Sequence, residues 1–187
     1  MKLHRRRWLA IAALAPVLAR AQGDVNAQLR DAAQRNDLAA FRALVAAGAD
    51  VNARDAQQDS AFLIAARSGH TEVVRAALAA GADVKALNRY GSTAVFGPAY
   101  RGHVETVRLL LQSPIDLHHV NSLGWTALLE AIVLGQDGPA HQEIVRLLVA
   151  RGSDVHKADR EGVTALQHAQ RRGQAEVVRM LRAAGAR

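Results

Sequence analysis

The residues of this chain best suited to chemistry are eight histidines, 17 acidic side chains and a regularly spaced set of arginines, in a sequence with no cysteine. Disulfides, thiolate nucleophiles and cysteine-ligated metals are therefore excluded. His118 and His119 stand side by side and invite a metal reading. Adjacent residues of an extended segment point to opposite sides, so the two cannot readily share an ion, and no third ligand has a convincing spacing. No serine occupies a G-x-S-x-G elbow, and neither a phosphate-cradling glycine loop nor an H-E-x-x-H helix is present. Most acids recur at fixed positions: Asp50, Asp83, Asp116 and Asp154 each open a turn-rich segment, and Asp55 and Asp159 sit within such segments. Repetition gives them a structural explanation, so no catalytic residue, metal or cofactor is predicted, and the chain reads as a non-enzyme.

The arginines Arg42, Arg75, Arg108, Arg146 and Arg179 could be read as a basic ladder. Glu72, Glu105, Glu143 and Glu176 precede four of them by three residues, a spacing that pairs opposite charges on one helix. A solvated, self-paired face is the expectation. The net charge of +7 does not point to nucleic acid either. Lys2, Arg5, Arg6, Arg7 and Arg20 lie in residues 1–21 without an acid, leaving 19 basic against 17 acidic side chains elsewhere, a net of +2. A near-neutral domain cannot rest its affinity on phosphate neutralisation.

Residues 1–21 read as an address. A basic head precedes an apolar run from Trp8 to Ala19, and small residues at Ala19 and Ala21 flank Arg20. The run is too short to span a bilayer, so a cleavable signal with the cut after Ala21 is expected, with no stable membrane anchor afterwards. Arg5 and Arg6 before Trp8 also resemble the twin-arginine export signal; a general secretory signal fits the same residues. Either route places the mature chain in the periplasm or outside the cell.

What must position the remaining side chains is a repeating scaffold. Asp55, Asn88, Asn121 and Asp159 fall in register at spacings of 33, 33 and 38. Ser60, Thr93, Thr126 and Thr164 each open a short apolar segment that Gly69, Gly102, Gly135 and Gly173 close nine residues later. A hydroxyl at a helix N-cap and a left-handed glycine past its last turn explain that pair of signals, with Asn36 in the glycine role of the first unit. A second amphipathic helix follows each time, as in TEVVRAALAAG, VETVRLLLQSP and AEVVRMLRAAG. Hydrophobic residues make up 50% of the chain but aromatics only 4%, which suits close-packed helices.

Helix pairs joined by turn-rich hairpins at a period of 33, carried by GHTEVVRAALAAGADV and its copies, resemble the ankyrin repeat family. The resemblance implies an all-α solenoid of about five helix-turn-helix units joined by β-hairpin-type loops, over residues 22–187. The units run approximately 26–54, 55–87, 88–120, 121–158 and 159–187. The family's usual Thr-Pro-Leu-His start is altered in every copy, so Leu63, Phe96 and Leu129 are expected to replace a polar link with apolar contact. His70, His103 and His141 occupy the family's usual position after the helix-closing turn and are read as structural. Pro98 should kink or shorten the first helix of the third unit.

The resemblance also implies that partner proteins are held by hairpin tips and the exposed ends of first helices, where the residues do not repeat. Those residues are Arg89, Tyr90, Ser92, Tyr100 and Arg101 in the third unit and Ser122, Leu123, Trp125, Val133 and Leu134 in the fourth. Arg67, Arg160, Arg171 and Arg172 border them. Aromatic anchors edged by arginine make an interaction patch; the competing reading is that Val133 and Leu134 pack beneath the insertion Gln136 to Ala140 and Trp125 shields a hairpin. The expected function is binding of another protein by a monomeric periplasmic module. An inhibitor or immunity-type protein, whose grip changes the activity of a toxin or exported enzyme, is the alternative.

Overall fold

A computed structural model describes residues 25–187; the segment 1–21, with Arg5, Arg6 and the expected cut after Ala21, lies outside the described residues. Five helix pairs follow in order. Residues 25–34 form α1, followed by α2 Leu38–Ala46, α3 Ala61–Ser68, α4 Thr71–Ala79, α5 Phe96–Arg101, α6 Val104–Leu110, α7 Ala127–Leu134, α8 Pro139–Ala150, α9 Ala165–Arg171 and α10 Ala175–Ala183. First helices stack on first helices, α3 on α5 on α7 on α9, and second helices form a parallel layer, α2 on α4 on α6 on α8 on α10. No single pair can bury its own apolar face; the stack does so for all of them.

The core runs unbroken between the layers. Phe41, Phe62 and Phe96 are almost wholly buried, as are Leu128, Ile144 and Leu181. Leu63, Phe96 and Leu129 are all buried, as expected of apolar replacements for a polar link. Polar ties between units arise instead at the start of the second helices. His70 Nδ1 lies 2.8 Å from the Ala33 carbonyl, His141 Nε2 lies 2.8 Å from that of Tyr100, and Gln174 Nε2 donates to Ile132 at 3.2 Å.

The loops are closed by side chains, not by paired strands. In each, Asp55, Asn88, Asn121 or Asp159 accepts hydrogen bonds from the amides two and four residues later. Its own amide donates to the carbonyl four residues on. This double Asx bond replaces a sheet ladder, and the single isolated bridge among the described residues joins Ala158 to Thr164.

Ser60, Thr126 and Thr164 cap α3, α7 and α9 through their hydroxyls, Thr164 within a full capping box. Thr93 departs from that expectation. Pro98 has no N–H with which to bond the Ala94 carbonyl, so α5 begins only at Phe96, with Val95 as an N-cap that makes no side-chain bond. The Phe96 amide reaches the Thr93 carbonyl at 3.2 Å, and the Thr93 hydroxyl is left buried without a partner.

A second departure concerns Gly135. Asn36, Gly69, Gly102 and Gly173 take the left-handed conformation at φ 57°, 75°, 82° and 68°. Gly135 is extended at φ −67°, ψ 158°. The inserted residues make the chain leave α7 straight, and glycine is required there for space: a Cβ would stand 2.1 Å from the Ala131 carbonyl oxygen and 2.4 Å from the His141 ring.

Candidate functional site

The second-helix face is occupied with itself. Arg75 pairs with Glu72 at 3.4 Å, Arg108 with Glu105 at 3.7 Å and with Glu143 at 2.9 Å, while Arg146 and Arg179 pair with Glu143 and Glu176. Exposed pairs of this kind add tenths of a kcal/mol and leave no unbalanced ladder for a ligand. His119 Nε2 turns inward to the Gly91 carbonyl at 2.6 Å, its ring edge-on to Phe96, while His118 is exposed. The two imidazoles do not converge.

The opposite face, built from the first helices and loop tips, holds a cavity of about 280 Å³. Leu63 and Arg67 of α3, Phe96, Gly97 and Tyr100 of α5, and Glu130 and Leu134 of α7 form its walls, with Tyr90 and Leu123 at the loop tips above. Its origin lies in one register position, four residues after Ser60, Thr93, Thr126 and Thr164. That position carries Ile64, Gly97, Glu130 and His168 in successive units. Gly97 contributes only backbone and lets α5 close on α3: a Cβ there would come within 2.9 Å of Arg67 Cα.

Charge in the cavity is concentrated in two places. Arg67 sits on the buried Asp59 carboxylate at 2.9 Å, a pair that satisfies itself. Glu130 is 6% exposed. Its Oε2 accepts from Asn121 Nδ2 at 2.8 Å, and that amide also donates to Ser92 Oγ at 3.1 Å. Burial pushes the Glu130 carboxyl up to about 7, with the Asn121 hydrogen bond opposing the shift. The equivalent pair in the last unit is Asp159 with His168, at 2.6 Å. Burial works against the Asp159 carboxylate, but hydrogen bonds from His168 and the Val163 and Glu161 amides outweigh it and hold Asp159 below the usual range.

The sequence-predicted patch is divided by this geometry. Tyr90 and Leu123 are 50% exposed and Leu134 49%, and all three line the cavity with the half-buried Tyr100. Among the described residues, only Val120 joins them as an exposed large hydrophobic side chain. Arg89 and Arg101 lie over the rings of Tyr90 and Tyr100, 4.7 and 5.2 Å from the ring centroids, and line an adjoining groove.

Ser92 does not belong to the surface. It is 4% exposed, because the loop's double Asx bond draws the fifth residue inward. Trp125 and Val133 are only partly exposed, and Trp125 packs against the core. Ser122 is exposed at the tip beside Gly91. Arg160 is exposed, with its stem folded over Gly124, and Arg172 donates to the Gly135 carbonyl at 3.1 Å. Sequence reasoning missed Asp59, Gly97, Asn121 and Glu130, although Glu130 as the one charge in the segment ALLEAIVL was a visible signal.

Among the described residues no three histidine or acidic side chains gather as metal ligands, and no helix is long and apolar enough to cross a membrane. The cavity offers apolar walls with convergent polar groups, the makings of recognition.

Comparison with known proteins bears on the scaffold. The family described as "Ankyrin repeats (3 copies)" matches residues 29–121 and 99–187. Among solved structures, an ankyrin repeat domain from Acinetobacter baumannii AYE is 49% identical, with 83% of this chain and 80% of that one covered and a TM-score of 0.81. A second ankyrin repeat protein is 35% identical, covering 85% of this chain and 80% of its own, with a TM-score of 0.80. No curated protein matches the chain. With stacked helix pairs, Asx-closed loops and a family match over both halves of the described region, the chain belongs to the ankyrin repeat family.

Proposed function

We propose that this protein is a non-enzymatic module of the bacterial periplasm that holds a partner protein on the first-helix face of its third and fourth units. Ankyrin repeats are a general protein-interaction scaffold. The observation that carries the choice of face is the clustering of Tyr90, Leu123 and Leu134, three of the four exposed large hydrophobics among the described residues, around one cavity. Apolar side chains held on a preorganised scaffold bind with little loss of ordering entropy, and aromatic anchors edged by arginines favour a protein partner. The periplasmic address rests on the signal-like pattern of residues 1–21.

The test is affinity capture from periplasmic extract with the native chain, a Tyr90→Ala, Leu134→Ala variant and a Glu72→Ala, Arg75→Ala control on the second-helix face. Recovery of a specific partner should fall roughly tenfold or more for the first variant, the effect of losing two anchors worth at least about 1.4 kcal/mol together. The control should recover it as well as the native chain does. Equal recovery by all three would reject this face.

A further inference from the structure

The cavity holds one buried carboxyl group that no cation among the described residues faces. Asp59 and Arg67 neutralise one another at 2.9 Å. Arg89 and Arg101 are stacked over tyrosines and line the neighbouring groove, not this cavity. Glu130 receives one hydrogen bond, on Oε2 from the Asn121 amide, and Oε1 has no partner among the described residues although Glu130 lines the cavity. A buried carboxylate without a cation is costly, and a guest that brings one recovers that cost.

The surroundings select the shape of that guest. Tyr90, Tyr100, Leu123 and Leu134 line the same cavity as Glu130, and the space of about 280 Å³ admits a single long side chain. The same cavity already shows the arrangement once: the Arg67 stem runs along its wall and its guanidinium ends on Asp59. We propose that the cavity receives a basic side chain, lysine or arginine, projecting from the partner protein, with Glu130 as its counter-charge and the tyrosine and leucine walls around its stem.

This inference rests on the first-helix face being the binding face and adds the chemistry of the inserted residue. It is tested on the ¹⁵N-labelled full chain by NMR titration with Nα-acetyl-arginine amide and Nα-acetyl-lysine amide, against Nα-acetyl-norleucine amide. The basic probes should shift the amides of Gly97, Tyr100 and Glu130 and bind roughly tenfold or more tightly than norleucine, the ratio expected of a charge-assisted hydrogen bond. Glu130→Gln keeps an acceptor for Asn121 and so should keep a native spectrum, yet lose that preference. Equal binding of the norleucine probe, an undiminished preference in Glu130→Gln, or shifts confined to the Glu72, Glu105 and Glu143 face would overturn the proposal. Those outcomes leave the partner-capture result standing, whereas failure of capture by the native face removes both.

Discussion

Replacing Phe96 by alanine is expected to lower stability by about 3–5 kcal/mol and to split urea unfolding, followed by far-ultraviolet circular dichroism, into two steps. The magnitude is that of emptying a fully buried aromatic site; Phe96 is 1% exposed. The splitting follows from its place in the stack. α5 packs on α3 to one side and on α7 to the other, and it is the shortest helix described, six residues long. Pro98 removes an amide from its first turn and leaves the Thr93 hydroxyl without a partner, so this unit has the least local support. In a linear array, weakening a middle unit uncouples the halves, while weakening an end merely frays it. Phe41→Ala, in the first unit at one end of the described stack, should therefore keep one main transition. A single transition for Phe96→Ala displaced by less than about 1 kcal/mol would contradict this account of the core.

The second large effect is on pH. The Glu130 carboxyl is pushed up to about 7 in the folded chain by burial, against about 4.3 for an unperturbed glutamate. Between these values the native state holds a proton that the unfolded state has released. Stability consequently falls as pH rises from about 4.3 to about 7 and is flat beyond, an upper limit of about 4 kcal/mol from this one group. Glu130→Gln should match the native chain near pH 4 and exceed its stability above about pH 7, within that limit. Urea unfolding at a series of pH values reads the difference directly, and because the histidines are common to both chains their contributions cancel. Parallel curves for the two proteins would show that Glu130 is not desolvated as described.

Most of the scaffold was legible because its causes are local and repeated. The hydroxyl at Ser60, Thr126 and Thr164, the left-handed Asn36 and Gly69, and the self-paired Arg75, Arg108 and Arg179 each follow from a residue's own chemistry within one turn of chain. The failures fall where a neighbour overrides the local rule. Thr93 has the right side chain for a cap, but Pro98, five residues on, delays the helix it would have capped. Gly135 occupies the closing position, but the insertion after it sets a different chain direction and His141 takes the space a side chain would need. Ser92 looked variable and hence exposed, whereas the Asn88 carboxamide pulls it inward. The cavity was least legible, because Arg67, Gly97 and Glu130 come from three different units and meet only through stacking. Aligning the units on Ser60, Thr93, Thr126 and Thr164 brings out the row Ile64, Gly97, Glu130 and His168, in which a gap stands next to an acid.

The central claim is that the first-helix face of the third and fourth units, and not the salt-bridged second-helix face, holds the partner. Amide hydrogen exchange of the captured complex against the free chain measures this most directly. The account predicts slowed exchange at residues 88–101 and 121–134, around Tyr90, Gly97, Leu123 and Glu130, with α4, α6 and α10 unchanged. Protection concentrated on α4, α6 and α10, with the loop tips exchanging as in the free chain, would contradict it.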